Sequence, residues 1–358
     1  MKTIAAIQAD LKTSPVGTRS RLTDELAGKT ILRRTVERIS RAKRIEEVYV
    51  LCPSPQLEHC KSLLEGTGAV VRRFDADPPH WGLLTQTARK WSLEGWRGGI
   101  GGTTSFDEYT DCRLLSGLLK TVDAQAVLSV PAAAPLIDPE VADAMIQHRE
   151  DAEDDLRVTF TQAPPGLTGI LLEAPLVNEL AEKGTPLGWV FAYQPGNPRK
   201  DLIFQPCCYE LPSDLRYAVG RLIADTDRSA QAIADLLRDH DEPDSLAIGR
   251  WLAEKNRTFV EPLPREVEIE LTTDDPYPQS LLRPRGSRVP GRGPIDLAIV
   301  EKIVSELARF DDALLVLGGF GDPLRHPQFA PVLDVIRSTP PNEKMIYGLA
   351  VRTSGVDL

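Results

Sequence analysis

Between an apolar run at 3–7 and the next segment of helical spacing lies LKTSPVGTRSR (11–21). It sets Thr13, Ser14, Gly17, Thr18 and Ser20 among the cations Lys12, Arg19 and Arg21. Small hydroxyls and glycine let backbone amides come close to a phosphate, and the cations neutralise its charge. These residues therefore suit a nucleotide phosphate; a solvated basic loop has the same composition. A second loop, WRGGIGGTTSFDEYTD (96–111), carries four glycines, three threonines and a serine. Gly99, Gly101, Thr103 and Asp107 are its candidates for facing a substrate, because glycine permits close backbone approach. G-G-x-G-G is neither a Walker nor a dinucleotide fingerprint, and an unstructured insertion accounts for the loop equally well.

The elements that would position these loops follow from apolar spacing. Runs at 3–7, 47–52, 69–73 and 126–130 read as short buried strands. Segments 31–42, 56–64, 111–122 and 139–149 have helical spacing, and Asp138-Pro139 reads as an N-cap followed by proline at the first helical position. Segments 156–162, 169–173 and 203–210 add strands, and 215–223, 229–238 and 244–255 read as three helices. This alternation predicts an α/β fold, a three-layer α/β/α sandwich around a mixed, mostly parallel sheet. Both loops follow strands, at the sheet edge where such folds bind ligands. Segment 256–265, with two prolines and no clear period, is the expected linker. Beyond it, strand 266–272, helix 296–309, strand 313–317, helix 328–338 and strand 344–350 form a β-α-β-α-β unit of under 100 residues, too short for a closed barrel.

Composition narrows the function classes. The chain has 358 residues, with 42 % hydrophobic and 26 % charged, long enough for two domains. A net charge of −10 argues against a nucleic-acid partner, since phosphate backbones require a basic surface. No segment has the length of a membrane span, and the N-terminal MKTIAAIQAD is too short and too polar for a signal peptide. Five cysteines, an odd number, fit a reduced cytoplasmic protein better than a disulfide scaffold.

The N-terminal residues carry a resemblance. IAAIQAD (4–10), the Ser/Thr/Gly loop, LAGKTIL (26–32) and RRTVERISRAK (33–43) resemble the opening of the cytidylyltransferases that activate sugars such as 3-deoxy-manno-octulosonate, neuraminate or spore-coat sugars. Pro135-Leu136-Ile137-Asp138-Pro139 and RLIADTDRSAQAI (221–233) resemble two later signatures of that family. The resemblance implies nucleotide binding by Gln8, Ala9, Lys12, Ser14, Arg19 and Arg21, with Arg21 at the family's lysine. It implies CTP as the triphosphate, an acidic sugar as acceptor, and Mg²⁺ held by Asp225. It also shows departures: Asp10 stands at the family's arginine, Ala133 at its first metal aspartate and Ser229 at its last acid. Alanine cannot coordinate Mg²⁺, which takes hard oxygen ligands. Asp107 or Glu108 then remain as substitute ligands, and a homodimer is among the arrangements left open.

A second resemblance covers the C-terminal residues. EVEIELTTDDPYPQSLLRPR (266–285) and ALLVLGGFGDPLRHP (313–327) resemble the start of a radical SAM barrel, where an E-L-T strand runs into C-x-x-x-C-x-x-C. The three cysteine positions fall on Asp275, Gln279 and Leu282, so no iron–sulfur cluster is expected, because the cluster is held by thiolates. Gly318, Gly319, Gly321 and Asp322 match the turn that contacts S-adenosylmethionine in that family. The expected division is a nucleotidyltransferase-like domain (1–255), a linker (256–265) and a partial barrel-like unit (266–358). Two function classes stand: a divergent nucleotidyltransferase, or a non-catalytic module that binds a nucleotide or a partner protein.

Overall fold

Ile4 and Ala6 turn to one side of the first strand and Ala5 and Ile7 to the other, and both sides are buried. A strand apolar at consecutive positions must be covered on both faces. The computed structural model describes the chain apart from residues 76, 78, 99–101, 153–155, 194, 197, 199, 259–262, 277–292, 339–345 and 357–358. The described residues form two compact units, Met1–Phe259 and Val260–Leu358.

The strands of unit 1 are β1 (Thr3–Gln8), β2 (Glu25–Leu26), β3 (Lys29–Thr30), β4 (Val48–Pro53), β5 (Val70–Phe74), β6 (Ala126–Pro131), β7 (Val158–Thr159) and β8 (Ile170–Glu173). Six of them make one sheet in the order β5-β4-β1-β6-β8-β7. β5, β4, β1 and β6 are parallel neighbours, whereas β8 runs antiparallel to both β6 and β7. Gln8 is level with Leu51 of β4 and Pro131 of β6, so three parallel strands end side by side.

Helices cover both faces. On one face α1 (Ile31–Ile39), α5 (Pro139–Asp151), α9 (Asp227–Asp239) and α10 (Ser245–Thr258) meet Ala5, Ile7, Val50 and Leu128. On the other, α4 (Cys112–Val122), α6 (Ala174–Lys183) and α7 (Gly188–Phe191) meet Ile4, Ala6, Leu51 and Val127. The result is the expected three-layer sandwich. Also present are α2 (Leu57–Leu63), α3 (Gly82–Arg89) and α8 (Ser213–Arg216). Asp138 caps α5 as its position beside Pro139 requires, accepting from the amides of Glu140 (2.8 Å) and Val141 (3.1 Å).

Several elements differ from expectation. The 203–210 strand is a single turn of 3₁₀ helix at Leu202–Phe204 followed by one bridge between Phe160 and Cys208. The strand expected at 156–162 is only Val158–Thr159, because Phe160 leaves the ladder to exchange hydrogen bonds with Cys207 and Tyr209. The 215–223 helix stops at Arg216; the chain then runs extended, with the Leu222 amide on Pro165 O and the Ala224 amide on Ala133 O, both at 2.7 Å. That approach requires glycine at 166: φ is +98° and a Cβ there would lie 2.4 Å from the Leu222 carbonyl carbon. Helices α3 and α6 and the β2–β3 hairpin were not foreseen. Ala27 and Gly28, both at positive φ, form the hairpin's two-residue turn.

Unit 2 has β9 (Glu266–Glu270), α11 (Leu297–Leu307), β10 (Leu314–Gly318), α12 (Phe329–Arg337) and β11 (Gly348–Val351). Its all-parallel sheet has the order β11-β10-β9. Ile269, Leu271, Val300, Val304, Leu315, Leu317 and Val332 form its core. Most of the Arg/Gly/Pro segment at 283–294 and the start of the expected strand 344–350 lie outside the described residues. No helix among the described residues is long and apolar enough to cross a membrane.

Candidate functional site

A cavity of about 540 Å³ opens in unit 1 where β1, β4 and β6 end. Carboxyl ends of parallel strands are where open α/β sheets bind ligands, because the loops diverge there. Gln8 and Ala9 line it from β1, Pro53 from β4, Pro131 to Ala133 from β6, and Ile223 to Asp225 from the extended segment. Phe74, Trp81, Leu83 and Tyr109 give it apolar and aromatic walls.

The loop after β1 is closed on itself. Asp10 Oδ1 accepts from the amides of Lys12 (2.8 Å) and Thr13 (3.3 Å) and from Gln56 Nε2 (2.9 Å). Thr13 and Arg19 pair as antiparallel partners. The Ser20 amide donates to Lys12 O, Ser14 to Thr18 O and Gly17 to Ser14 O, at 2.9–3.1 Å. The Thr18 amide donates to Ser14 Oγ at 3.1 Å. These amides, which would cradle a phosphate, are spent inside a small hairpin. Arg19 is 62 % exposed and bonds both oxygens of Asp24, at 2.9 and 2.6 Å. Arg21 is buried and donates to Asp225 O (3.0 Å) and Asp227 Oδ1 (2.8 Å). Arg21 and the Thr18 hydroxyl thus fasten the loop to the backbone of Asp225.

Behind the cavity runs a chain of buried charges. Arg89 Nε reaches Glu108 Oε1 at 2.8 Å, Arg221 reaches Glu108 Oε2 at 2.8 Å, and Arg221 Nε reaches Asp225 Oδ1 at 2.8 Å. A second Arg221 nitrogen closes on Asp225 Oδ2, making the pair bidentate. The four side chains are 0, 2, 4 and 1 % exposed in that order. Such a chain holds its charges only if every member is paired. Burial pushes the Glu108 carboxyl up, but Arg221 and Arg89 outweigh it and hold its pKa below the ordinary value. Burial would lower Arg221, yet Asp225 and Glu108 raise it above the usual guanidinium range.

The residues do not fit a Mg²⁺ ion. Ala133 and Asp225 are brought together, since Ala133 O accepts the neighbouring Ala224 amide, but one is alanine and both oxygens of the other face Arg221. Glu108 is held by two guanidinium groups. Asp107 is buried and accepts from the Gly188 amide at Oδ1 (2.7 Å) and from the Thr104 amide (2.8 Å) and hydroxyl (2.9 Å) at Oδ2. Burial pushes its carboxyl above the ordinary value, with those amide bonds opposing. Ser229 closes a capping box with Thr226 at the start of α9. Among the described residues no cluster of three or more His, Cys, Asp or Glu stands ready to hold a metal.

Of the residues singled out from sequence, Gln8, Ala9, Ser14, Arg21, Asp107 and Asp225 line the cavity, and Lys12, Arg19 and Thr103 do not. Thr103 Oγ1 donates to Gly98 O at 3.0 Å. Gly99 and Gly101 lie outside the described residues. Sequence reasoning missed Arg89, Trp81 and Gln56. The first two belong to α3 and its start, where Trp81, Thr85 and Ala88 give a buried stripe at i, i+4, i+7 that was legible as helical spacing.

In unit 2 the glycine turn folds onto β9. Phe320 donates its amide to Glu270 Oε2 at 2.6 Å, and a Cβ at Gly321 would lie 2.0 Å from Thr272 O. Asp322 is fully buried and accepts from the Leu324 amide, the Ser354 amide and hydroxyl, and the Thr353 hydroxyl. His326 is buried too: Nδ1 accepts the Gln328 amide (3.1 Å), so Nε2 carries the proton toward Ile295 O (2.9 Å). Of the three cysteine-equivalent positions, Asp275 is described, while Gln279 and Leu282 lie outside the described residues. None of the five cysteines is in a disulfide.

No family model matches the sequence, and no curated protein matches it. Solved structures do. A cytidylyltransferase from Leptospira borgpetersenii serovar Hardjo-bovis is 14 % identical with a TM-score of 0.47, over 74 % of this chain and 98 % of that one. A CMP:2-keto-3-deoxy-manno-octonic acid synthetase solved with CTP is 11 % identical, TM-score 0.36, over 52 % and 80 %. A Mycobacterium tuberculosis protein in complex with manganese is 8 % identical, TM-score 0.34, over 52 % and 78 %. At these scores none of them assigns a residue or a ligand to this chain.

Proposed function

We propose that unit 1 is a nucleotide-binding module of nucleotidyltransferase type that performs no Mg²⁺-dependent nucleotidyl transfer. The observation that carries this reading is the buried bidentate pair between Arg221 and Asp225, beside an alanine at position 133. The binding half rests on the cavity at the ends of β1, β4 and β6 and on the likeness of the loop sequence to cytidylyltransferases. By that likeness a cytidine nucleotide, CTP first, is the ligand to try, and an acidic sugar the companion. Gln8 and the aromatic walls would orient the ligand, and the loop pinned by Arg21 would shape the cavity's rim. Mg²⁺, if it bound, would supply charge neutralisation at the phosphates; the donor set described above provides no place for it.

For unit 2 the proposal is a relative of the radical SAM barrel without its cluster, on sequence likeness alone. The glycine turn there serves packing against β9. A homodimer and a cytoplasmic setting belong to the same proposal, and light scattering tests the first.

The test pairs binding with turnover. Cytidine nucleotides are titrated by calorimetry and thermal shift with and without MgCl₂, and pyrophosphate release is assayed over a panel of acidic sugars. The reading expects a ligand whose affinity is indifferent to Mg²⁺; at a hundredfold excess over Kd it stabilises the fold by about 2.7 kcal/mol. Pyrophosphate release that is lost in Asp225→Asn would overturn it in favour of an ordinary enzyme.

A further inference from the structure

The lining of the cavity is strongly one-sided in charge. Six acidic residues line it, Asp10, Asp77, Asp107, Glu108, Asp111 and Asp225, and among the described residues Arg21 is the only lysine or arginine that does. The guanidinium groups that offset Glu108, Asp225 and Asp111 are not among the lining residues. Arg89 and Arg221 are committed to Glu108 and Asp225, and Arg113 bonds Asp111 through both its oxygens, at 3.1 and 2.6 Å. Arg21 itself is turned onto Asp227 and two backbone carbonyls. The loop cations Lys12 and Arg19 are not among the lining residues, and the amides of Ser14, Gly17 and Ser20 are bonded within the hairpin. A triphosphate brings about four negative charges, and the lining offers one guanidinium, itself bonded to Asp227, to offset them.

We propose that the occupant of this cavity is a nucleoside or a nucleoside bearing a single phosphate, and that the nucleoside triphosphate is selected against. This rests on the nucleotide-binding reading above and narrows it. Phe74, Trp81, Leu83 and Tyr109 supply the surface a base and ribose bury, and base–aromatic contact is tolerant of base identity. The carboxylates of Asp10 and Asp111 offer acceptors to sugar hydroxyls rather than donors to phosphate oxygens.

The experiment compares cytidine, CMP and CTP, with uridine, adenosine and guanosine as base controls, by calorimetry on the full chain without Mg²⁺. Each is run at low and at near-physiological ionic strength. Cytidine or CMP, or another nucleoside of the panel, should bind at least about tenfold more tightly than CTP. The salt response carries the sign: screening should strengthen CTP binding relative to cytidine, whereas a phosphate cradle would lose CTP affinity as salt rises. The variant Asp77→Asn should improve CTP severalfold while leaving cytidine within a factor of about two. CTP as the tightest ligand, weakened by salt, would overturn the charge argument and leave the nucleotide reading intact. No heat and no thermal shift with any compound would overturn both.

Discussion

Arg221 and Asp225 face each other through both carboxylate oxygens, and the nitrogen that closes the pair also touches Glu108. Arg221 is therefore shared by two acids at the floor of the cavity, with Arg89 on the far oxygen of Glu108. In a Mg²⁺ site that work falls to the ion, with carboxylates free to turn toward it. Here the cation is covalently part of the chain and cannot be titrated away.

Removing that cation should be costly. Arg221→Met leaves Glu108 and Asp225 buried with one guanidinium between them, and should destabilise unit 1 by about 3–5 kcal/mol. Urea unfolding followed by tryptophan fluorescence checks it. Adding Asp225→Asn should recover more than 1 kcal/mol of the loss, on the order expected for residues in one ion-pair network. Additive losses would mean the two side chains do not share their charge.

Restoring the missing acid should not by itself restore a metal site. Ala133→Asp is expected to leave Mn²⁺ binding, read by electron paramagnetic resonance, near background because Asp225 remains committed to Arg221. Ala133→Asp combined with Arg221→Ala frees Asp225 beside the introduced carboxylate, leaves Glu108 with Arg89, and should bind the ion measurably. Tight binding by the single variant would show that Arg221 yields its partner easily.

Unit 2 should lose stability in acid through Asp322. Burial works to raise its pKa, but hydrogen bonds from Ser354, Leu324 and Thr353 prevail and lower it below the ordinary value. The unfolded value is about 3.9. The contribution is then fully present above about pH 5 and drains away as pH falls through the lower, folded value. Asp322→Asn should reduce stability at pH 7 by about 1–3 kcal/mol, the range for hydrogen bonds to a charged group. It should also flatten the acid limb of the profile; an unchanged limb would assign the acid sensitivity elsewhere.

Iron should not assemble on this chain. Asp275 stands at the first thiolate position and none of the five cysteines lies in 266–285. Anaerobic reconstitution followed by desalting should leave iron and acid-labile sulfide well below one equivalent, without a broad visible band. A stoichiometric cluster would place its ligands on cysteines outside this segment.

Much of the fold was legible because it depends on local periodicity. The first four strands of the main sheet and the α5 cap at Asp138 follow from apolar runs and from Asp-Pro chemistry. The departures arise where neighbours override spacing. The 215–223 segment has helical composition, yet Gly166 admits Leu222 so closely that the chain is drawn out straight. The 203–210 segment makes a single bridge, Cys208 to Phe160 just past β7, and so never becomes a ladder.

The sequence by itself determined which atoms are available: an alanine at 133, serine at 229, aspartate at 10, and a loop rich in hydroxyls and cations. It could not determine where those cations point. Arg19 turns outward to Asp24, Arg21 inward to Asp227 and the Asp225 carbonyl, and Arg89, remote in sequence, joins Arg221 around Glu108. Hydrogen bonds and ion pairs act over a few ångströms in space, and only folding sets those distances. A loop that reads as a phosphate site in one dimension is, in three, a hairpin whose donors are already engaged.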